Sequence, residues 1–305
     1  MLQYALKRAV LALLVALTVS LVCFLLVNLS TDVATAMAGE GATSETIDAI
    51  RTQYGFDRPL AVQYFEWLGR AAVGNFGDSL YFRTPVSALV VERMPTTMIL
   101  GSAALAFALA LSIPLGVIAA LKPNSWVDRL TLTIAVVGQA MPTFWFALLL
   151  MFFFGVTLKV LPISGGDTWQ HFILPSIALG YYAAPAIMRL TRSGMLEVLE
   201  SDYIRTARAK GLRNTSVLFK HALRNAVAPV VALAAVQLGF LLGGSVVIET
   251  IFALNGLGYL AWEAIGHNDF PVVQAVVLLI SLVYIVLTLL SDVANAWLDP
   301  RIRIG

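Results

Sequence analysis

Charged residues and cysteine are both scarce in this chain of 305 residues. Only 12% of the residues are charged, whereas 59% are hydrophobic and the mean hydropathy is +0.83. The single cysteine, Cys23, excludes an intrachain disulfide. The chain lacks a Gly-x-x-x-x-Gly-Lys-Ser/Thr phosphate loop, which excludes ATP binding in the P-loop manner. It also lacks a His-Glu-x-x-His motif, and His171, His221 and His267 do not have metal-ligand spacing.

Long apolar runs dominate what the sequence does contain. A transmembrane helix needs about 20 mostly apolar residues to cross roughly 30 Å of hydrocarbon. These runs predict an all-α, polytopic membrane protein with six transmembrane helices and no room for a separate soluble domain. The whole chain, 1–305, is therefore expected to be a single transmembrane domain. The six charge-free runs are 9–29, 94–121, 130–158, 168–188, 225–248 and 270–291.

Lysine and arginine are unevenly divided between the two sides that six spans would define. One side carries fourteen of the 20, including the eight from Arg189 to Arg224, and the other side carries six. Cytoplasmic loops are enriched in these residues, so both termini and the basic loop 189–224 are predicted to be cytoplasmic. The long loop 30–93 is then extracytoplasmic. A Thr-Ser-Glu sequence at 43–45 predicts a short helix there that reaches about Gln53.

The N-terminus has a second interpretation, a cleaved signal peptide. Lys7 and Arg8 precede an apolar run, and Ala36, Met37 and Ala38 form an A-x-A pattern. The apolar run is longer than the roughly 7 to 15 residues of a signal peptide. A retained first helix is therefore predicted.

Prolines lie inside the apolar runs. Pro142 is near the middle of the third run, and Pro175 and Pro185 are in the fourth. Proline kinks a helix, and in a membrane such a break survives where neighbours or a water-filled cavity satisfy the freed carbonyl. Met141 and Pro142, with Gln237 of the fifth run, are therefore candidates for lining a path or forming a kink. A packing kink without a pore role fits the prolines equally well.

The basic segment 201–226 is the most informative part of the chain. Asp202 is expected to cap a helix that runs to about Lys210, and Gly211 to end it in the left-handed conformation. Asn214 is expected to cap a second helix, so the two would form a protruding knob. One face of the second helix would carry Val217, Leu218, Ala222 and Leu223.

The first helix of this segment would present Arg205, Arg208 and Lys210 on one side. Two interpretations fit these cations. They dock on an acidic partner surface, or they lie on anionic lipid as part of an amphipathic helix.

The segment resembles the EAA loop of bacterial ATP-binding cassette (ABC) importer permeases, which docks on the ATPase subunit as a coupling helix. Arg205, Thr206 and Ala207 occupy the positions of Glu-Ala-Ala, and Gly211 occupies the fixed glycine. The first two differ from the residues that name the motif. The sequences DY at 202–203, TARAKG at 206–211 and HALRNA at 221–226 are similar to the dipeptide, oligopeptide, glutathione and nickel permease branch.

This resemblance extends over nearly the whole chain. Similar sequences occur in the same order as in that branch, so the resemblance does not rest on one motif. They are FDRPL at 56–60, GNFGDS at 74–79, IPLG at 113–116, MPTFW at 141–145, LLGG at 241–244, ETIF at 249–252, FPVVQ at 270–274 and DPRIR at 299–303.

The resemblance implies a type I ABC importer permease fold and a non-catalytic transporter subunit in the bacterial inner membrane. The implied partners are a second homologous permease, two cytoplasmic ABC ATPases that bind the ATP and magnesium, an extracytoplasmic solute-binding protein and membrane lipid. No cofactor, metal or nucleic acid is expected in this chain. The implied substrate is a peptide or a related small solute; the alternatives are glutathione, nickel or a metal chelate.

The resemblance also assigns roles to residues. Glu249, Phe252 and Asp269, at the outer ends of spans, are candidates for facing the binding protein, although they would serve equally as interface anchors. The ATPase-coupling role falls on Arg205, Thr206, Ala207, Arg208, Lys210, Gly211 and Leu212.

A secondary carrier and an intramembrane enzyme are alternatives from different classes. Ion-coupled carriers usually place ionisable groups at membrane depth, whereas the acidic residues of this chain flank the apolar runs. The sequence therefore favours the importer subunit.

Overall fold

The computed structural model describes residues 2–30, 32–39 and 41–298. Five of its helices are long and apolar enough to cross a membrane, and a bent pair supplies up to one more crossing. The bent pair consists of α6 (Trp126–Ala140) and α7 (Thr143–Leu150), which continues as a wider π-helix over Met151–Thr157. The five long helices are α1 (Leu2–Ser30), α5 (Val86–Leu121), α8 (Ile173–Leu199), α12 (Ala228–Ile251) and α14 (Phe270–Leu298).

Helices α5 and α8 form the centre of the bundle and run parallel to each other. A Cβ on Gly180 would overlap the carbonyl oxygen of Ala104, and a Cβ on Gly116 would lie only 2.8 Å from that of Met188. Small residues at such contacts let helix backbones approach closely. The residue numbers rise together along both helices, so these helices point the same way.

Helix α12 runs antiparallel to α5. Leu242 packs on Gly101, and Thr97 donates a hydrogen bond to Glu249 at 2.8 Å. The bundle therefore has two ends: the loop end, where α5 begins and α12 finishes, and the knob end, where α5 finishes.

The bent pair joins these two ends. Arg192, near the knob end of α8, contacts Asp128 in the first turn of α6. Beyond α7, the Gly165 amide donates to the carbonyl of Phe252, just past the loop end of α12, at 3.0 Å. The third apolar run therefore crosses the bundle, as predicted, but it is broken rather than continuous.

Four short helices cover the loop end: α2 (Val33–Ala38), α3 (Ser44–Tyr54), α4 (Leu60–Ala72) and α13 (Leu257–Gly266). The predicted start of α3 is confirmed, because the Thr46 amide donates to the Thr43 hydroxyl. Asp32 tethers this layer, since its carboxylate pairs with Arg51 at 2.7 Å. The hydrogen bond from Thr35, together with Arg51, holds the pKa of Asp32 below its ordinary value.

Two helix boundaries differ from the sequence expectation. Helix α5 begins at Val86, not at 94, because Val86 and Leu89 are buried against α13 and α14. Helix α8 continues to Leu199, well past 188, because Met195 is buried against the basic segment. The predicted loops 30–93 and 189–224 are therefore shorter than expected.

Candidate coupling segment and membrane cavity

The basic segment 201–226 folds as a two-part helical knob. Helix α9 spans Asp202–Ala209, so Asp202 is its first residue and not the predicted cap. Ser201 occupies the N-cap position, but its hydroxyl donates to the Val198 carbonyl and makes no capping hydrogen bond. Gly211 then adopts the predicted left-handed conformation, with φ of +73°, and its amide donates to the Arg208 carbonyl. The chain continues as α10 (Asn214–Ser216), a π-helix over Val217–Leu223, and α11 (Arg224–Ala226).

The inner face of the knob is packed against α8. Ile204 and Val217 are fully buried and share one apolar cluster with Met195 of α8. Gly194 lies so close to the carbonyl of Ala226 that an added Cβ would be 2.8 Å from its oxygen. This close packing makes the knob an extension of α8 rather than a loosely attached loop.

The outer face of the knob is exposed and basic. Arg205 pairs with Asp202 at 3.3 Å, but both side chains are at least 75% exposed, so the pair contributes little. Arg208 and Lys210 form no ion pair with a described residue. Ala207 is 7% exposed and packs in the apolar cluster beneath α9, so it is not part of the exposed surface. The predicted coupling residues that are exposed are Arg205, Thr206, Arg208, Lys210, Gly211 and Leu212.

A bidentate ion pair fixes the start of α6 beside the knob end of α8. Arg192 donates from Nε and Nη2 to the two carboxylate oxygens of Asp128, each at 2.7 Å. Asp128 is buried, and its Oδ2 also accepts from the Asn124 amide at 2.9 Å. The sequence does not predict this pair, because its members are 64 residues apart.

The break between α6 and α7 follows from Pro142. The helix axis bends by 103° across this break. Met141 is extended, with φ of −80° and ψ of 131°, as is usual for a residue before proline. Tyr181 contacts the second half of α6, where its hydroxyl donates to the Ile134 carbonyl at 2.9 Å.

A cavity of about 900 Å³ lies beside this break. Met141, Pro142 and Gln237 all line it, which brings together the three residues predicted to line a path or form a kink. Its other walls are α1, α8, α12 and α14. Its polar lining residues carry amide or hydroxyl groups: Gln139, Thr143, Tyr182, Gln237, Ser281 and Tyr284.

Glu249 at the loop end is fully buried. One carboxylate oxygen accepts from the hydroxyls of Thr97 and Ser245, each at 2.8 Å, and the other accepts from the Tyr259 amide at 2.9 Å. Since Tyr259 belongs to α13, the carboxylate holds this short helix against α5 and α12.

Asp269 and Phe252 are also buried. Asp269 accepts hydrogen bonds from the Ser79 hydroxyl and from the amides of Leu80 and Tyr81. Glu249, Phe252 and Asp269 were predicted candidates for facing the binding protein. Their burial corrects that prediction for this conformation, because none of them presents its side chain to a protein at the loop end.

Comparisons with known proteins cover both halves of the chain. Residues 1–101 match the N-terminal family model of binding-protein-dependent transport system membrane components, and residues 112–304 match "Binding-protein-dependent transport system inner membrane component". The glutathione transport system permease protein GsiC of Salmonella paratyphi A is 43% identical over 304 residues, 99% of each chain. Its counterpart in Escherichia coli K12 is 42% identical over 304 residues, which again cover 99% of each chain.

Solved structures show a similar fold. An inward-facing structure of the MetNI methionine ABC transporter aligns with a TM-score of 0.57 and 20% identity, covering 69% of this chain and 96% of that chain. An amino acid ABC transporter solved with histidines aligns with a TM-score of 0.51 and 14% identity, covering 70% and 94%. With the sequence matches, these results establish that the chain belongs to the family of binding-protein-dependent transport system inner membrane components, the non-catalytic permease subunits of ABC importers.

Proposed function

We propose that this chain forms half of the translocation path for a peptide or a related small solute such as glutathione, and that partner ATPases drive it through the knob. One observation carries this proposal. The knob shares its buried core with α8 at Met195, and α8 also contributes Leu179, Tyr182 and Ala183 to the membrane cavity. A force on the knob therefore reaches the cavity wall through one helix.

The ion pair between Asp128 and Arg192 extends this connection to the break. Helix α6 begins at the ion pair and ends at Ala140, which lines the cavity. When the ATPases close and displace the knob, α8 and α6 move together. The break at Pro142 then lets α7 change its angle to α6, and the cavity opens alternately to the two ends.

In this proposal the knob end is cytoplasmic and the loop end faces outward. The excess of lysine and arginine on the knob side supports this orientation, as does the family's dependence on a binding protein. The protein then lies in the bacterial inner membrane with both termini in the cytoplasm. The sequence DPRIR at 299–303, part of the original resemblance, lies outside the described residues.

The proposed complex contains four further subunits: a second permease of this family, two ATPases that hold ATP and magnesium, and a solute-binding protein at the loop end. The family assignment supports the second permease, which would supply the other half of the path. The exposed cations Arg205, Arg208 and Lys210 suit an acidic surface on the ATPase.

The cavity chemistry supports a solute that contains peptide groups. Its described lining residues carry no formal charge, and Gln139 and Gln237 offer both donors and acceptors. Neutral amide and hydroxyl groups match peptide groups better than they match a bare nickel ion, which prefers imidazole or similar ligands. The GsiC relatives are described as glutathione permeases, which agrees with this choice.

Reconstitution into liposomes tests this assignment. We expect ATP-dependent uptake of glutathione or a dipeptide from the complete set of subunits, and no uptake when this chain is omitted. The purified chain alone should not hydrolyse ATP, because it lacks a phosphate loop. Uptake by this chain alone, driven by an ion gradient, would instead make it a secondary carrier.

A further inference from the structure

A second cavity lies at the loop end, and it shares no lining residue with the membrane cavity. Its volume is about 450 Å³, which is within the rough range of 300–1,000 Å³ for small-molecule sites. Its walls are the loop end of α1, helices α2 and α4, the chain around 75–80 and the first turns of α14. None of the roles described above uses this cavity.

Gln274 of α14 supplies a buried polar group to this cavity. The residue is only 9% exposed and lines the cavity. Its side chain makes no hydrogen bond to any residue that the structure describes. The amide is open to the cavity, so it can act as both hydrogen-bond donor and acceptor for a ligand that enters there.

Two unpaired charges of opposite sign border the same cavity. Arg70 and Asp78 both line it and are exposed. Neither side chain has an ion pair or a hydrogen bond with a described residue. Glu66, which also lines the cavity, is already paired with Arg58 at 2.8 Å. One cation and one anion among the lining residues therefore remain available to a ligand.

Aromatic rings form much of the remaining wall. Phe24 and Trp67 lie 5.8 Å apart, and Tyr54 and Phe56 are stacked at 6.0 Å. All four line the cavity. The site therefore combines apolar faces, which bury the carbon atoms of a ligand, with a small number of polar groups, as binding sites commonly do.

A buried carboxylate holds another part of the cavity wall in place. Asp269 accepts hydrogen bonds from Ser79 and from the amide of Leu80, and both of these residues line the cavity. The same carboxylate stands directly before Phe270, where α14 begins. The loop that carries Asp78 and the helix that carries Gln274 are thus fixed relative to each other, so the site is formed before a ligand enters.

We propose that this cavity is a binding site for a small zwitterionic solute of the short-peptide class. Arg70 binds its carboxylate, Asp78 its ammonium group, and Gln274 a peptide group between them. This proposal rests on the proposed import function. In it, solute binds at the loop end before it enters the membrane cavity.

Calorimetric titration of the full chain in nanodiscs, without ATP or partners, tests the site. The probes are alanyl-alanine, which is zwitterionic, and its N-acetylated, C-amidated form, which has no charge. We expect saturable binding of the zwitterion and at least roughly tenfold weaker binding of the blocked peptide, because both charge contacts are lost. Binding that is absent, or equal for the two peptides, overturns the proposal.

Variants identify the cavity as the site of binding. Gln274→Leu should weaken binding of alanyl-alanine by about tenfold, since a buried hydrogen bond is lost. Asp78→Asn removes the charge of an exposed side chain and should weaken binding about two- to fivefold. Gln53→Leu and Asp57→Asn make the same chemical changes outside the cavity and should leave binding unchanged. Wild-type affinity in both Gln274→Leu and Asp78→Asn overturns the assignment.

This titration separates failure of the site from failure of the proposed function. Peptide binding that depends on Gln274, with no ATP-dependent uptake by the complete set of subunits, would refute the import proposal and keep the site. Uptake without peptide binding to this chain would refute the site and keep the import proposal.

Discussion

Gly211→Val is expected to weaken coupling strongly while the protein stays in the membrane. Gly211 has a φ of +73°, a conformation that costs a residue with a β-branched side chain about 1–2 kcal/mol. Nothing lies within 4 Å of the site where its Cβ would be, so the effect comes from the backbone and not from a clash. If this strain energy is subtracted in full from the free energy of docking, the affinity of the knob for the ATPases falls roughly 5- to 30-fold. Solute uptake and co-purification of the ATPases should therefore decrease together.

Two further variants control for this prediction. Gly211→Asn should have a milder effect, because asparagine tolerates the left-handed conformation better than other non-glycine residues. Gly69→Val changes an exposed glycine that has no neighbour within 4 Å and lies in α4, far along the chain from the knob. Uptake and ATPase binding should remain normal in Gly69→Val. Normal uptake and co-purification in Gly211→Val, at matched protein levels, would remove the coupling role from the knob and favour the lipid-surface interpretation.

Asp128→Ala is expected to destabilise the protein by about 3 kcal/mol. Removing one member of a buried ion pair typically costs about 3–5 kcal/mol, because the remaining charge is left without a partner. The lower end applies because the Arg192 side chain retains 22% exposure. Thermal unfolding in detergent, followed by size-exclusion chromatography, measures the loss.

The double variant Asp128→Ala/Arg192→Met distinguishes an unpaired charge from lost packing. It should recover most of the stability, since it no longer leaves a buried cation unpaired. Asp202→Ala is the matched control: its ion pair with Arg205 is largely exposed, so stability should not change. A double variant as unstable as Asp128→Ala would show that the carboxylate matters for another reason, such as its contact with Asn124.

The sequence predicted those features of the fold that depend on local pattern. Apolar runs located the membrane crossings because length and hydropathy are local properties. Gly211 was assigned a left-handed conformation from its position between two short helices, and the structure confirms it. The α3 cap at Thr43 was likewise predicted from neighbouring residues.

The features that the sequence did not predict depend on contacts between distant residues. Glu249 and Asp269 looked like exposed acids at the ends of spans. Each is instead buried by donors from a distant part of the chain, Thr97 in one case and Ser79 in the other. Ala207 was assigned to the docking surface with its neighbours, and only the packing of α9 on α8 shows that it faces inward.

The break at Pro142 was predicted in part. Proline indicated an interruption of the third apolar run, but a kink and a turn of 103° have the same local signal. The bend is accompanied by a hydrogen bond from Tyr181 of α8 to α6 and by a cavity beside Met141. Neither contact can be inferred from the run itself.

Site-specific photo-cross-linking at Leu212 tests the central claim most directly, because Leu212 is exposed beside Gly211 on the proposed docking face. A benzophenone amino acid replaces Leu212 in the complete transporter, and Trp126, which is exposed at the start of α6, serves as the control position. The account predicts a strong cross-link from position 212 to the ATPase that changes with ATP, and a much weaker one from position 126. Cross-linking from position 212 to lipid alone, with the ATPase present and uptake active, would contradict it.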